Sequence, residues 1–71
     1  MAATRVNVER LKRELVTRGW NGIDLAFHAG LSPATVSAAL QGRPVSTTTV
    51  HKMVLALTRQ PKIEGIEELV G

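Results

Sequence analysis

Residues that begin or end helices recur along this chain and divide it into short segments. Asn7 and Asn21 are suited to cap a helix, because a side-chain oxygen at that position accepts from the unpaired amides of the first turn. Ser32 is followed by Pro33, a pair in which serine caps the helix and proline takes the first helical position. Glycines, which often follow the last residue of a helix, close the segments. They are Gly19, Gly30 and Gly42. Helices this short are not stable alone, so the segments must pack as one bundle.

Within the segments the apolar residues follow helical spacing. Val8, Leu11 and Leu15 lie at positions i, i+3 and i+7, which places them on one face of a helix. Ser46 or Thr47 caps a later segment, whose apolar residues are Val50, Met53, Val54 and Leu57. Two segments lie between these. The apolar residues of the first are Ile23, Leu25, Ala26, Phe27 and Ala29, and those of the second are Val36, Ala39 and Leu40. No stretch alternates apolar and polar residues for long, so no strand is predicted. The sequence therefore predicts an all-α fold, a small bundle of four or five short helices.

Length and composition exclude several classes of protein. A chain of 71 residues holds one core, and the lack of cysteine removes disulfides and thiolate metal sites. The longest apolar run, residues 53–57, is far too short to span a membrane, and no signal peptide is recognisable at the N-terminus. We therefore expect a soluble cytoplasmic protein with no membrane partner. Its only aromatic residues, Trp20 and Phe27, do not make a stacking platform for single-stranded nucleic acid.

The charges divide the chain into two parts of one domain. The formal net charge is +3, but residues 1–62 carry nine basic and three acidic side chains. Residues 63–71 carry no basic side chain and three glutamates. The basic part is suited to a polyanion. The acidic part is predicted to be a short helix with an apolar stripe, which is either a self-association surface for a homodimer or a lid on its own core. The residues of this stripe are Ile63, Ile66, Leu69 and Val70.

The most informative local pattern runs from Asp24 to Ser37. Ala26 is small enough for one helix to approach another closely, and Gly30 permits the positive φ of a tight turn. Leu31 fills the turn from the core side, and a new helix begins at once with the serine cap. Two helices joined by three or four residues that include a glycine describe a helix-turn-helix, whose second helix enters the major groove of DNA.

These residues resemble a known family. The pattern of Ala26, Gly30, Ser32, Thr35 and Val36, followed by Ser37, looks like the core of lambda-repressor-like helix-turn-helix domains. The stretch is also similar to the lac-repressor family headpiece, but that family usually begins at the first helix of the motif. This chain has an additional helix before the motif and another after it, so over residues 7–60 it is most similar to the Cro/CI-type (XRE) family.

The resemblance implies a set of DNA contacts. Exposed residues early in the second helix of the motif would read base edges, and these map to Pro33, Ala34, Ser37 and Ala38. The contacts implied with the DNA backbone map to Asn21, Gly22, Thr35, Gln41 and Arg43. One departure stands out, because residues 33–38 contain no long Gln, Asn or Arg side chain of the kind that reads a base pair with two hydrogen bonds. Specificity would then depend on methyl contacts, on Gln41 and on DNA shape.

The function expected from the sequence is a repressor-like or Cro-like transcriptional regulator that binds double-stranded DNA as a dimer, without a cofactor. No phosphate-binding loop, dinucleotide fingerprint, zinc-protease motif or cysteine nucleophile is present, so we expect no enzymatic activity. His28 and His51 lie far apart and do not form a metal site. No small-molecule ligand is evident. The alternative is a protein-binding adaptor, such as an antitoxin-like or anti-regulator domain, that uses the same fold without DNA.

Overall fold

A computed structural model describes residues 3–60, 64–65 and 68 of the protein. Over these residues the chain is mostly α-helical, with four helices and two short strands. In chain order the elements are β1 (Ala3–Thr4), α1 (Val8–Val16), α2 (Gly22–Ala29), α3 (Pro33–Leu40), β2 (Val45–Ser46) and α4 (Thr47–Arg59). Of the helices in this described part of the chain, none combines the length and apolarity that crossing a bilayer demands.

The predicted helix starts are confirmed by their hydrogen bonds. Asn7 Oδ1 accepts from the backbone N–H of Arg10 at 3.0 Å, and α1 begins at the next residue. Ser32 Oγ accepts from Thr35 N at 3.2 Å, with Pro33 in the first turn of α3. Of the two caps predicted for the last of these helices, Ser46 is the one used. Local side-chain chemistry therefore sets where the helices begin.

The turn between α2 and α3 depends on the backbone of Gly30. Its φ is +68°, a left-handed conformation that residues with a Cβ rarely adopt. Its N–H donates to Phe27 O at 3.3 Å, and Leu31 N donates to Ala26 O at 2.9 Å, so the last carbonyls of α2 are satisfied. The chain then reaches the cap of α3 within two residues.

A single core lies where α2 packs against both α3 and α4. Its buried residues are Leu11, Leu15, Leu25, Ala26, Val36, Ala39, Val45, Met53 and Ala56. The small residues among them let the helices approach closely, as the sequence predicted for Ala26. Several apolar side chains lie outside the core, Ile23 among them at 66% exposed. Phe27 is 82% exposed, and Val54, on the apolar stripe predicted for α4, is 52% exposed.

The two short strands were not predicted, so the all-α expectation is incomplete. β1 and β2 pair antiparallel, with Ala3 opposite Ser46 and Thr4 opposite Val45. Strands of two residues are too short to show the alternation that identifies a strand in a sequence. They form because the bundle brings the start of the chain beside the segment that precedes α4.

Arg18 joins the end of α4 to α1. Only 8% of its side chain is exposed, and its Nη1 donates to Glu14 Oε1 at 2.8 Å. Its Nη2 donates to Leu57 O at 2.8 Å and its Nε to Gln60 O at 2.6 Å. One planar guanidinium thus satisfies carbonyls at the C-terminus of α4 that the helix itself leaves unpaired.

The apolar stripe predicted for the acidic part of the chain lies outside the described residues. Its members are Ile63, Ile66, Leu69 and Val70. Three neighbours are described, and all of them are exposed: Glu64, Gly65 and Glu68. Gly65 has a positive φ of 81°, and Glu68 N donates to Gly65 O at 3.2 Å.

Candidate nucleic-acid interface

The outer face of α3 carries most of the residues that the sequence analysis assigned to base edges. Pro33, Ala34 and Ser37 are exposed, whereas Ala38 is partly buried and packs against the core. Gln41, the C-cap of α3, is also exposed. Positions 34, 37 and 41 are spaced i, i+3 and i+7, so their side chains line one stripe of the helix. We call Ala34, Ser37 and Gln41 the α3 stripe.

The polar members of the α3 stripe contact each other. Gln41 Nε2 donates to Ser37 Oγ at 3.2 Å, and both side chains are exposed. An amide and a hydroxyl together offer donors and acceptors, which are the groups that read the edges of bases. The methyl group of Ala34 is suited to contact the methyl of a thymine. The stripe therefore presents two short side chains, Ala34 and Ser37, and one longer amide, Gln41.

The start of α2 is occupied by its own capping box. Asn21 Oδ1 accepts from Asp24 N at 2.9 Å, and Asp24 Oδ2 accepts from Asn21 N at 2.8 Å. Among the described residues no acceptor meets the N–H groups of Gly22 and Ile23. These two amides are free to donate to a phosphate, but the Asp24 carboxylate beside them repels one.

Gly22 also has a packing role that the sequence analysis missed. A Cβ at this position would lie 3.2 Å from Leu40 Cδ1 and 3.7 Å from Val36 Cγ1. A side chain at this position would press against Leu40, so glycine eases the close approach of the first turn of α2 to α3.

Thr35 serves the cap of its own helix. Its hydroxyl is 2.8 Å from Ser32 Oγ, which also accepts from its backbone N–H. Thr35 is partly buried, in contrast to the exposed residues of the α3 stripe. A contact between this hydroxyl and a phosphate would have to share the oxygen with the cap.

Basic residues lie on three segments that neighbour or form the loop after α3. Arg43 is exposed in this loop. The antiparallel register of β1 and β2, continued by one residue, puts Arg5 opposite Pro44. A Cβ on Gly42 would lie 3.8 Å from Val8 Cγ2, and Lys12 follows one turn later on the same face of α1. We call these exposed residues the basic flank: Arg5, Lys12 and Arg43.

Among the described residues, no carboxylate forms an ion pair with a member of the basic flank. The ion pairs within the described ranges join Glu14 to Arg10 and Arg18. Sequence reasoning found Arg43 but not Arg5, since only the pairing of β1 with β2 brings the start of the chain to this loop. No local signal in the sequence identifies that neighbour.

The two histidines lie in different surroundings. The ring of His28 stacks on Trp20 with centroids 4.3 Å apart, and the ring of Phe27 meets it edge-on at 5.5 Å. His51 is exposed on α4. In residues 3–60, 64–65 and 68 no group of three or more His, Asp or Glu side chains is arranged to hold a metal ion.

Comparison of the chain with protein-family models, with curated proteins and with solved structures finds no match.

Proposed function

We propose that this protein is a cytoplasmic transcriptional regulator that binds specific sequences of double-stranded DNA, in the manner of a repressor or a Cro protein. In this proposal α2 and α3 form a helix-turn-helix, and α3 lies in the major groove. The observation that carries the proposal is the exposed α3 stripe with the basic flank beside it. A helix with small polar side chains fits into a groove, and cations at one end of it meet the phosphates.

Affinity and specificity come from different residues in this mechanism. The basic flank neutralises phosphates and releases counterions, which supplies most of the binding free energy. Ser37 and Gln41 donate to or accept from base edges, while Ala34 contacts thymine methyls. Pro33 at the helix start and the partly buried Ala38 can only meet the groove through apolar contacts. No step of this mechanism needs a cofactor.

Weak base contacts favour binding as a dimer. One copy of α3 covers roughly 4–6 base pairs, and Ala34 and Ser37 discriminate less than a bidentate pair, which is worth about 1–3 kcal/mol. Two copies on half-sites one helical turn apart read twice as many base pairs.

The first test is the selection of bound duplexes from a random pool, followed by measurement of affinity over a range of salt concentrations. We expect an enriched sequence and a linear fall of log K with log salt. Three phosphates neutralised by the basic flank give a slope of about −2.7 for each copy, at about −0.9 per phosphate. Absence of enrichment together with a flat salt dependence would sink the proposal.

Two variants distinguish contacts with the DNA phosphates from contacts with the base edges. Arg43→Ala should weaken binding to all duplexes and reduce the salt slope by about 1, because it removes one phosphate contact. Gln41→Ala should change which duplexes are selected while the salt slope stays the same. Arg59→Ala, which removes an exposed charge at the end of α4, is the matched control and should change neither. If Arg59→Ala and Arg43→Ala have equal effects, binding is not centred on α3.

One observation favours a competing proposal, a protein-binding adaptor of the antitoxin-like or anti-regulator kind. Ile23 and Phe27 are one turn apart on α2 and are 66% and 82% exposed. Exposed apolar side chains of this size are typical of surfaces that bind another protein. For an adaptor, Phe27→Ser should abolish binding to the partner protein, and the duplex pool should return no enriched sequence. DNA binding that survives Phe27→Ser unchanged supports the regulator.

A further inference from the structure

An apolar groove runs between α1 and α4, and β1 and the residues before α1 line part of it. Its volume is about 230 Å³, and Arg5 and Arg10 lie at its edge. Half of the side chain of Val54 is exposed there, and Val50 and Leu57 are only partly buried. The apolar residues that line it are Val6, Leu11, Val50, Met53, Val54 and Leu57. This groove contains no residue of the α3 stripe, and Arg5 is the one member of the basic flank that lines it.

The chain leaves α4 at one end of this groove. Leu57 and Glu14 both line the groove, and Arg18 bonds to both of them as well as to Gln60 O. The point from which residues 61–71 start is therefore held beside α1.

The segment that follows has the length and pattern to turn back along the groove. Gly65, with its φ of 81°, supplies a turn, and Ile66 and Leu69 follow it with the spacing of one helical face, joined by Val70. The six residues from Gln60 to Ile66 reach up to about 20 Å when extended. Along α4, Leu57 and Val50 are only about 10 Å apart.

The charges of the two surfaces are complementary. The segment carries Glu64, Glu67 and Glu68 and no basic residue after Lys62. The edge of the groove carries two arginines, and the side chain of Arg10 is 71% exposed even though it pairs with Glu14. An acidic segment with an apolar stripe in its sequence matches an apolar groove that has Arg5 and Arg10 at its edge.

We propose that the groove between α1 and α4 holds the chain's own C-terminal segment, with Ile66, Leu69 and Val70 against Val50, Val54 and Leu57. A tether this short gives the segment an effective concentration that a second copy in dilute solution does not match. The segment then completes a core that is small for independent stability. A dimer on DNA has to form through a different surface.

The test is methyl NMR on the full chain labelled at isoleucine, leucine and valine. We expect NOEs from the methyl groups of Ile66, Leu69 and Val70 to those of Val50, Val54 and Leu57. These NOEs must be absent from an isotope-filtered experiment on mixed labelled and unlabelled chains, which detects contacts between copies only. NOEs that appear only between copies would assign the groove to a second chain and overturn the proposal. The absence of any such NOE would also overturn it.

A variant tests the same contact without depending on assigned NOEs. Val54→Glu puts a charge into the groove at a half-exposed position, and amide exchange at residues 66–70 should accelerate about tenfold or more. Val16→Glu is the matched control, because Val16 is an exposed valine of α1 that does not line the groove. Equal exchange in both variants and the wild type would show that the segment lies elsewhere.

Discussion

Arg18 is a basic residue that stabilises the fold and is not exposed for binding. In the sequence it is one of nine cations that add to the positive charge of the chain. In the structure its guanidinium is buried and bonds to Glu14, Leu57 and Gln60, so it is not available to a polyanion. The charge left for DNA is that of exposed residues such as Arg43. Net charge therefore overstates what this chain offers to a phosphate backbone.

We predict that Arg18→Ala lowers the free energy of unfolding by about 2–4 kcal/mol, because it removes charge-assisted hydrogen bonds that are mostly buried. Urea denaturation followed by circular dichroism measures the change. Arg13→Ala, at an exposed position of α1, is the control and should cost less than about 0.5 kcal/mol. Similar losses in the two variants would mean that Arg18 does not hold α4 in place.

The candidate site was only partly predictable residue by residue. The exposure of Ala34, Ser37 and Gln41 follows from helical periodicity once the buried side of α3 is known. Ala38 also follows that periodicity, but it packs against the core and is partly buried. Arg5 could not be predicted from the sequence, because its position beside the loop after α3 depends on strand pairing between distant parts of the chain.

The helix boundaries were the most predictable elements of the fold. Caps act within three or four residues, so Asn21 and Ser32 identify the starts of α2 and α3 without any tertiary information. Gly30 ends α2 for an equally local reason, its left-handed backbone. The sequence predicts the structure best where a hydrogen bond joins residues only a few positions apart.

We predict that Gly30→Ala destabilises the protein by about 1–2 kcal/mol. No atom lies within 4 Å of the added Cβ, so the cost comes from the positive φ alone. Gly30→Asn should recover part of the loss, because asparagine tolerates the left-handed region better than alanine. In thermal melts we expect the melting temperature to be highest with glycine at position 30, lower with asparagine and lowest with alanine. Equal melting temperatures for alanine and glycine would show that the turn does not require this conformation.

The orientation of α2 was not predictable from its own residues. Apolar side chains occur almost all around it, so its sequence does not distinguish the buried face from the exposed one. Contacts with α3 and α4 bury Leu25 and Ala26 and leave Ile23 and Phe27 in solvent. The same dependence on neighbours produced the two-residue strands.

At the scale of the whole molecule, stability depends on very few large side chains. Leu25 is fully buried, and Val36 and Met53 are nearly so. Several other core residues are alanines, which let helices approach but bury little surface. A chain of this length has a core worth only about 3–5 kcal/mol. The free-energy cost of a single cavity in this core is therefore comparable to the total free energy of unfolding.

We predict that Leu25→Ala costs about 2–5 kcal/mol and leaves much of the protein unfolded at 25 °C. Ile23→Ala removes an aliphatic side chain from the same helix at an exposed position, and it should change stability by less than about 1 kcal/mol. Far-UV circular dichroism against temperature measures both. A folded Leu25→Ala with an unchanged melting temperature would contradict the description of the core.

By itself, the amino-acid sequence determined the features that depend on residues a few positions apart. These are the caps at Asn7, Asn21 and Ser32, the left-handed turn at Gly30 and the helical spacing of the apolar residues. The tertiary structure alone decided which face of α2 is buried, that β1 pairs with β2, and that Arg18 binds the end of α4. The physical reason is distance along the chain. A cap closes a hydrogen bond within one turn, whereas Arg18 and Leu57 are 39 residues apart and meet only after the bundle has packed.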